Sequence, residues 1–351
     1  MNRCETNKVK VGNITIGGSN HVVIQSMCNI KTSKVDEVIA QIKELEEAGC
    51  ELIRVSVLDM YDAKAIKDIV ERIDIPLVAD IHYDYRLALQ AMESGAQKIR
   101  LNPGNLRTEE QIVAVINKAK EKNVAIRIGV NSGSINPEYV KANGGKVDVP
   151  LMLRSLDEYI KIFEDHNFTN LVLALKSSDA LQTLEAYRAA SKKYSYPLHI
   201  GVTETSYKDI GLIRSCVALV PLLLEGIGNT IRISLSDDPV EEIKACKRLL
   251  HEVGLYNNFP TLISCPTCGR TKGPIIELCR QIDEVLLKYN KEIKVAIMGC
   301  VVNGIGEGKG ADIGFACNTY DLFTVFEKGQ VKGTVTTKEV IPYLENYLKN
   351  R

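Results

Sequence analysis

No charge of either sign dominates this sequence. Its 351 residues carry 44 Lys and Arg against 44 Asp and Glu. A balanced chain has no general pull toward nucleic acid or an acidic membrane, so any charge preference must be local. The opening "MNRCETNKVKVG" lacks an apolar stretch, so no secretion signal is expected. No apolar run is long enough to span a bilayer. The greasiest, "CVALVPLLLEG", is short and interrupted by Pro221. These absences make a cytoplasmic protein the expectation. In that compartment the ten cysteines should be reduced thiols or metal ligands rather than disulfides. The phosphate-loop pattern GxxxxGK[ST] is missing, and so is the CxxxCxxC of radical adenosylmethionine enzymes. "GEGKGA" partly matches a dinucleotide fingerprint, but a strand-like run follows it where that fingerprint must open a helix.

What is present is alternation. Between residues 22 and 252, eight strand-like runs are separated by helical patterns. The runs are "VVIQSM", "LIRVSV", "PLVADI", "KIRLNP", "AIRIGV", "NLVLALK", "LHIGVT" and "TIRISL". Val35, Val38, Ile39, Ile42 and Leu45 repeat at helical spacing, and Gly49 and Gly95 stand where helices should end. Eight such units predict a (β/α)8 TIM-type barrel over residues 1–258. A doubly wound open sheet is the alternative. Residues 259–351 predict a separate small α/β domain. It contains a helix in "GPIIELCRQIDEVLLKYN", a strand in "KVAIMG", a glycine-rich loop "NGIGEGKGA", further strands and a closing helix.

Four runs share one tetrad: "IRVS", "IRLN", "IRIG" and "IRIS". Side chains alternate along a strand. If Ile53 and Val55 face the helices, Arg54 and Ser56 face the barrel axis. The same parity turns Arg100, Arg127 and Arg232 inward, with Asp80 and His82. Asn102 and Asn131 continue two of the arginine rows, and Lys176 and Glu204 end their strands. Arg54, Arg100, Arg127, Arg232 and Lys176 outnumber Asp80 and Glu204 by three. Buried charge without a partner costs several kcal/mol, so an anion should fill the mouth. A diphosphate suits the count and arginine's fork. An interior neutralised by its own ion pairs is the alternative.

Cys265 and Cys268 form a CxxC, a pattern shared by zinc sites, redox dithiols and iron–sulfur ligands. Cys300 ends a strand at the glycine-rich loop that carries Glu307. Three thiolates with a carboxylate would leave one exchangeable position on a metal, whereas a solvated Glu307 would leave none. Cys279 falls in the apolar stripe of its helix and reads as core, as do Cys4, Cys50, Cys216, Cys246 and Cys317. Cys28 stands nearer the barrel mouth.

Seven segments then carry a resemblance. "VADIHYDYRLAL", "KIRLNPGN", "IRIGVNSGS", "YPLHIGVTE", "GIGNTIRISL", "SCPTCGR" and "MGCVVNGIGE" resemble, in order, the motifs of the 4-hydroxy-3-methylbut-2-enyl diphosphate synthase family. The resemblance implies a barrel followed by a ferredoxin/sulfite-reductase-like domain with one [4Fe-4S] cluster. It implies reductive opening of 2-C-methyl-D-erythritol 2,4-cyclodiphosphate by electrons from flavodoxin or ferredoxin. By matching positions it makes Cys265, Cys268, Cys300 and Glu307 the cluster ligands. Arg54, Arg100, Arg127 and Lys176 become the diphosphate clamp, with Asn102, Asn131, Arg232 and Ser234 nearby. Asp80, His82 and Glu204 become the catalytic candidates, Glu204 for proton handling. It also implies a homodimer in which the cluster of one subunit covers the barrel of the other. Where the family reads "NGPGE" this chain has Ile305, expected to loosen the Glu307 loop. "GVTET" replaces "GVTEA", and the inserted domain of plant-type members is lacking, as in the short bacterial form. An aconitase-like hydro-lyase and a metal-bearing phosphate sensor are the competing readings.

Overall fold

The structure, a computed structural model, describes residues 2–101 and 108–351. It divides into two compact units, Met1–Leu255 and Tyr256–Arg351. Among the described residues no helix is long and apolar enough to cross a membrane.

The first unit opens with a hairpin of β1 (Val9–Val11) and β2 (Ile14–Ile16). Eight parallel strands follow: β3 (Val23–Met27), β4 (Leu52–Val57), β5 (Leu77–Ile81), β6 (Lys98–Leu101), β7 (Ala125–Asn131), β8 (Leu171–Lys176), β9 (His199–Ile200) and β10 (Thr230–Ile231). Neighbours pair in the order β8-β7-β6-β5-β4-β3-β10-β9, and a parallel bridge from Leu173 to Leu198 closes the ring. This is the expected barrel, and the open-sheet alternative falls. The surrounding helices are α1 (Val35–Ala48), α2 (Met60–Val70), α3 (Tyr85–Glu93), α4 (Glu109–Lys122), α5 (Pro137–Ala142), α6 (Val149–Asp165), α7 (Ala180–Lys193), α8 (Lys208–Leu224) and α9 (Pro239–Glu252). Local chemistry sets their ends. Asp59, Asp148 and Asp179 accept hydrogen bonds from first-turn amides, and Gly49 and Asn123 close α1 and α4 in the left-handed region.

The strand register stacks the interior in layers of four side chains from alternate strands, as an eight-stranded barrel requires. Apolar side chains come lowest, where Val23, Leu52, Val78, Ala125 and Val172 pack on Val9, Val11 and Ile16 of the hairpin. The hairpin, which the sequence reading missed, is therefore the floor. Above it the register aligns Leu52, Lys98, Val172 and Thr230, then Gln25, Val78, Arg127 and His199. Arg54, Arg100, Ala174 and Arg232 make the next layer, and Met27, Asp80, Gly129 and Gly201 the one above.

The second unit is a five-stranded sheet of β11 (Thr261–Ser264), β12 (Lys294–Met298), β13 (Ile313–Thr319), β14 (Leu322–Glu327) and β15 (Gln330–Thr336). The first three strands are parallel and the rest antiparallel. Helices α10 (Ile275–Tyr289) and α12 (Val340–Lys349) build an apolar core on one face. On the other face lies α11 (Val301–Glu307). This corrects the expected glycine-rich loop. A Cβ on Gly304 would stand 2.8 Å from that of Met298, and one on Gly308 2.7 Å from the Phe326 ring. The glycines thus let a short helix lie close on the sheet. Ile305 does not loosen the segment: it sits inside α11, packed against the Ala296, Met298 and Phe326 cluster. A proline would cost a backbone donor there.

Candidate active site

The barrel mouth is a network of buried cations around one carboxylate. Asp80 Oδ1 lies 3.0 Å from Arg100 Nη1, and its Oδ2 lies 3.6 Å from Arg54 Nε and 3.7 Å from His82 Nε2. Burial pushes the Asp80 carboxyl up, but the charge of Arg54, the nearby His82, and Arg100 and Arg127 outweigh it and hold it below the ordinary carboxylate range. Arg54 also donates to the Met27 sulfur at 3.1 and 2.9 Å. Burial, with Arg232 and Arg100 adding to it and Asp80 opposing, brings Arg54 down to about 10. Arg127 and Lys176 are pushed well below their usual values, first by burial and then by neighbouring cations.

Two residues absent from the sequence reading change the charge count. Glu242, buried on α9, accepts from Arg232 Nε and Nη2 at 3.0 Å each, from Ser26 Oγ at 2.9 Å and from the Leu235 amide at 3.1 Å. Arg232 is therefore clamped by an internal carboxylate. Lys98, with no exposed surface, adds a cation. It shares the parity of Arg100, and that signal was available in "KIRL". Glu204, by contrast, is exposed and does not offset the buried charge. Arg54, Lys98, Arg100, Arg127, Lys176 and Arg232 thus face Asp80 and Glu242, an excess of four rather than three. The neutralised-interior alternative does not hold.

The remaining mouth residues are placed as follows. His82 is exposed beside Asp80, and Asn131 and Ser234 are half-buried at strand ends. Asn102 lies outside the described residues. Gly201 gives Lys176 its course: a Cβ there would be 2.9 Å from Lys176 Nζ and 2.7 Å from the Arg232 carbonyl. Glu204 sits on a strained turn. Glu204, Ser206 and Lys208 all have left-handed backbone, at φ 54°, 88° and 33°, an arrangement costing about 1–2 kcal/mol per non-glycine residue. Thr205 Oγ1 donating to the Ser234 carbonyl, and the Ser236 amide donating to Ser206 at 3.1 Å, hold that turn in place. Such strain is a mark of functional loops.

In the second unit, Cys265 follows β11 and Cys300 follows β12, its parallel neighbour. Cys265 Sγ accepts from the Gly299 amide at 3.1 Å, and Lys272 donates to the Gly299 carbonyl at 3.2 Å. The CxxC turn is thereby folded against the strand end that carries Cys300. Cys268 is exposed, and its thiol is lowered by the Arg270 amide and by the charge of Arg270, against a small burial effect. Glu307 is exposed at the last residue of α11, two turns from Cys300. Among the described residues no three His, Cys, Asp or Glu side chains stand together as a metal would require. The three thiols nonetheless fit iron–sulfur ligation in kind: soft donors, two of them just past adjacent parallel strand ends and the third in the CxxC turn between them. Cys279 packs on the apolar core, and Cys28, Cys50, Cys246 and Cys317 are buried, as expected; Cys4 and Cys216 are exposed, against expectation. Burial pushes Cys28 up to about 12, so it offers no thiolate at the mouth.

Comparison with known proteins bears on both units. Residues 6–247 match the model of the GcpE TIM-barrel domain, and residues 261–350 that of the GcpE protein C-terminal domain. The chain is 49% identical over 344 residues to 4-hydroxy-3-methylbut-2-en-1-yl diphosphate synthase (flavodoxin) of Clostridium perfringens, covering 98% of each. It is 48% identical over 346 residues to the protein of that name from Malacoplasma penetrans, covering 99% of this chain and 95% of that one. Among solved structures it is similar to the dihydropteroate synthase of Yersinia pestis. The TM-score is 0.51 at 13% identity, over 70% of this chain and 98% of that one, a likeness of fold alone.

Proposed function

The chain belongs to the GcpE family of 4-hydroxy-3-methylbut-2-en-1-yl diphosphate synthases, and from that premise we propose how its own residues divide the work. It is an iron–sulfur oxidoreductase of isoprenoid biosynthesis. It opens 2-C-methyl-D-erythritol 2,4-cyclodiphosphate reductively, taking up two electrons and releasing water. That reaction sets aside the hydro-lyase, which needs no electrons, and the non-catalytic sensor.

The observation that carries the division of roles is the excess of buried cations over Asp80 and Glu242. Arg54, Arg100, Arg127 and Lys176 grip the diphosphate, with Asn102, Asn131, Arg232 and Ser234 completing the clamp. Fixed donors in a dry site stabilise the charge that develops as the ring C–O–P bond breaks. Asp80 orients Arg54 and Arg100, and Glu242 orients Arg232. The departing hydroxyl needs a proton, which His82 or Glu204 supplies. Cys265, Cys268 and Cys300 hold a [4Fe-4S] cluster, with Glu307 as a fourth, exchangeable ligand. When bound, the cluster supplies electrons one at a time and a Lewis-acidic iron corner. The relatives' names point to a flavodoxin as donor, with ferredoxin as the substitute, and the cytoplasm is the compartment this reading takes.

A homodimer is part of the same reading. The outer face of α8 supports it. Ile210, Ile213, Val217 and Leu224 are 44, 65, 42 and 68% exposed, spaced as an apolar seam along a helix that would otherwise face water. Ile213→Glu should shift sedimentation toward the monomer. With sites shared between subunits, mixing Arg127→Ala with Cys300→Ala chains restores part of the activity. No recovery after demonstrated subunit exchange would refute the sharing. For the ligand set, anaerobic reconstitution should give iron, sulfide and a broad visible absorbance, all reduced in Cys300→Ala. Ring opening that survives that substitution unchanged would defeat the assignment.

A further inference from the structure

Below the arginine layer the barrel interior holds a buried polar cluster set among Leu52, Val78 and Val172. Gln25, Lys98, His199 and Thr230 have no exposed surface, and Arg127 has 3%. These residues occupy the two layers between Arg54, Arg100 and Arg232 above and the hairpin floor below. Among the described residues, Gln25 Nε2 and Oε1, Lys98 Nζ, Arg127 Nε and Nη1, and His199 Nε2 make no hydrogen bond. The set is lopsided. Lys98, Arg127 and the Gln25 amide nitrogen only donate, and Gln25 Oε1 is the one obligate acceptor among them. His199 Nδ1 lies 2.6 Å from Thr230 Oγ1, so its Nε2 takes whichever role that contact leaves.

The two buried carboxylates that reach the arginines do not balance this set. Asp80 is engaged by Arg54 and Arg100, and Glu242 by Arg232, Ser26 and the Leu235 amide. A diphosphate entering from the mouth meets the arginine layer first, and Lys98 lies two layers deeper. Burial pushes the Lys98 ammonium well below its usual range, and Arg127 and Arg54 push the same way. Burying a charge without compensation is far costlier than leaving a neutral donor unsatisfied. For the Arg127 guanidinium, which stays charged, the compensating partner must be negative, small and rich in acceptor capacity.

We propose that these two layers form an internal site for a single halide ion, chloride under ordinary conditions, held by Lys98, Arg127 and Gln25. A halide carries one charge, accepts from several N–H groups without directional demands, and brings no hydrogen of its own. A water molecule would add two donors to a cluster already short of acceptors. The site shares Arg127 with the proposed diphosphate clamp and differs from it in Lys98 and Gln25, so its test is read at those two residues.

The test uses the anaerobically prepared holoenzyme. Crystals grown without halide and transferred into potassium bromide should show one anomalous peak inside the barrel between Lys98 and Arg127, absent from Lys98→Met. In solution, wild-type melting should rise by a few degrees from potassium gluconate to potassium bromide at equal ionic strength. Lys98→Met should lose that rise, and in gluconate it should melt above wild type because it buries no unmatched charge. Gln25→Leu keeps both charges and should need more bromide for the same rise, which keeps the idea testable if Lys98→Met does not fold. Density that refines only as water, equal melting of wild type in the two salts, or an undiminished bromide response in Lys98→Met or Gln25→Leu would overturn it.

Discussion

Replacing Asp80 by asparagine keeps the shape of the side chain and removes the carboxylate between Arg54 and Arg100. Its side chain is only 5% exposed, so the two arginines cannot turn to water for compensation. Breaking a buried pair from one side costs about 3–5 kcal/mol. With two cations left behind, the upper part of that range is expected. The pH dependence follows from the depressed carboxyl. Stability contributed by a lowered pKa is complete above the unfolded value of about 3.9 and is lost as pH falls through the folded value. The deficit of Asp80→Asn should therefore be full at pH 7, persist at pH 5 and shrink only in stronger acid. Ligand binding should move the other way. A phosphate charge roughly 6 Å from a carboxylate is repelled by about 3 kcal/mol at an effective dielectric constant near 20. Removing that repulsion should tighten inorganic pyrophosphate binding by about a hundredfold, so pyrophosphate should recover much of the lost stability. Amide hydrogen exchange in β5 and β6 reads the barrel separately from the second unit, and calorimetry reads the affinity. Unchanged protection at pH 7 would mean that Arg54 and Arg100 do not depend on Asp80. Equal pyrophosphate affinity would mean that the anion does not share those arginines.

Glu242→Gln should cost the barrel about 3–5 kcal/mol in chemical denaturation, because Arg232 loses its charged partner; Glu242→Ala should be worse still, with the Leu235 amide and Ser26 hydroxyl also left behind. Gly201→Ala should lower barrel stability in chemical denaturation and weaken pyrophosphate binding in calorimetry, since its Cβ would clash with the Arg232 carbonyl and displace Lys176 Nζ. His21 is raised by its hydrogen bond to Glu51, with burial opposing and the Glu51 charge assisting. Its contribution should be present below about pH 6.5 and fade as pH rises through the higher folded value. The pair is half-exposed, so His21→Gln should change stability at pH 6 by less than about 1 kcal/mol, and NMR titration of the ring should report the raised value.

The barrel was legible because the isoleucine–arginine tetrads tie each strand to a face. One parity assigns Ile53 to the helices and Arg54 to the axis, and it repeats at Arg100, Arg127 and Arg232. Lys98 obeyed the same rule but opens its strand, where the side chain could have pointed out at the rim. Glu242 left no such trace. It belongs to the helical pattern "PVEEIKACKRLL", in which a first-turn glutamate reads as an ordinary exposed residue. The hairpin hid because strands of three residues, "VKV" and "ITI", carry too little periodicity. In α11 glycine content outweighed pattern: Gly304 and Gly308, four apart, mark a contact face rather than a turn. Glu204 was expected at the end of its strand, but β9 stops at Ile200 and Glu204 stands four residues on, in a left-handed turn encoded by no glycine.

The floor of the barrel also constrains the order of assembly. Arg3, ahead of the hairpin, donates to the carbonyls of Leu223 at 2.5 Å and Gly228 at 3.1 Å, and Asn229 returns a bond to the Arg3 carbonyl at 3.0 Å. These partners emerge from the ribosome more than two hundred residues later. The hairpin can lay its apolar face on Val23, Leu52 and Val78 early, but the bonds that tie down Arg3 close only when the ring is nearly complete.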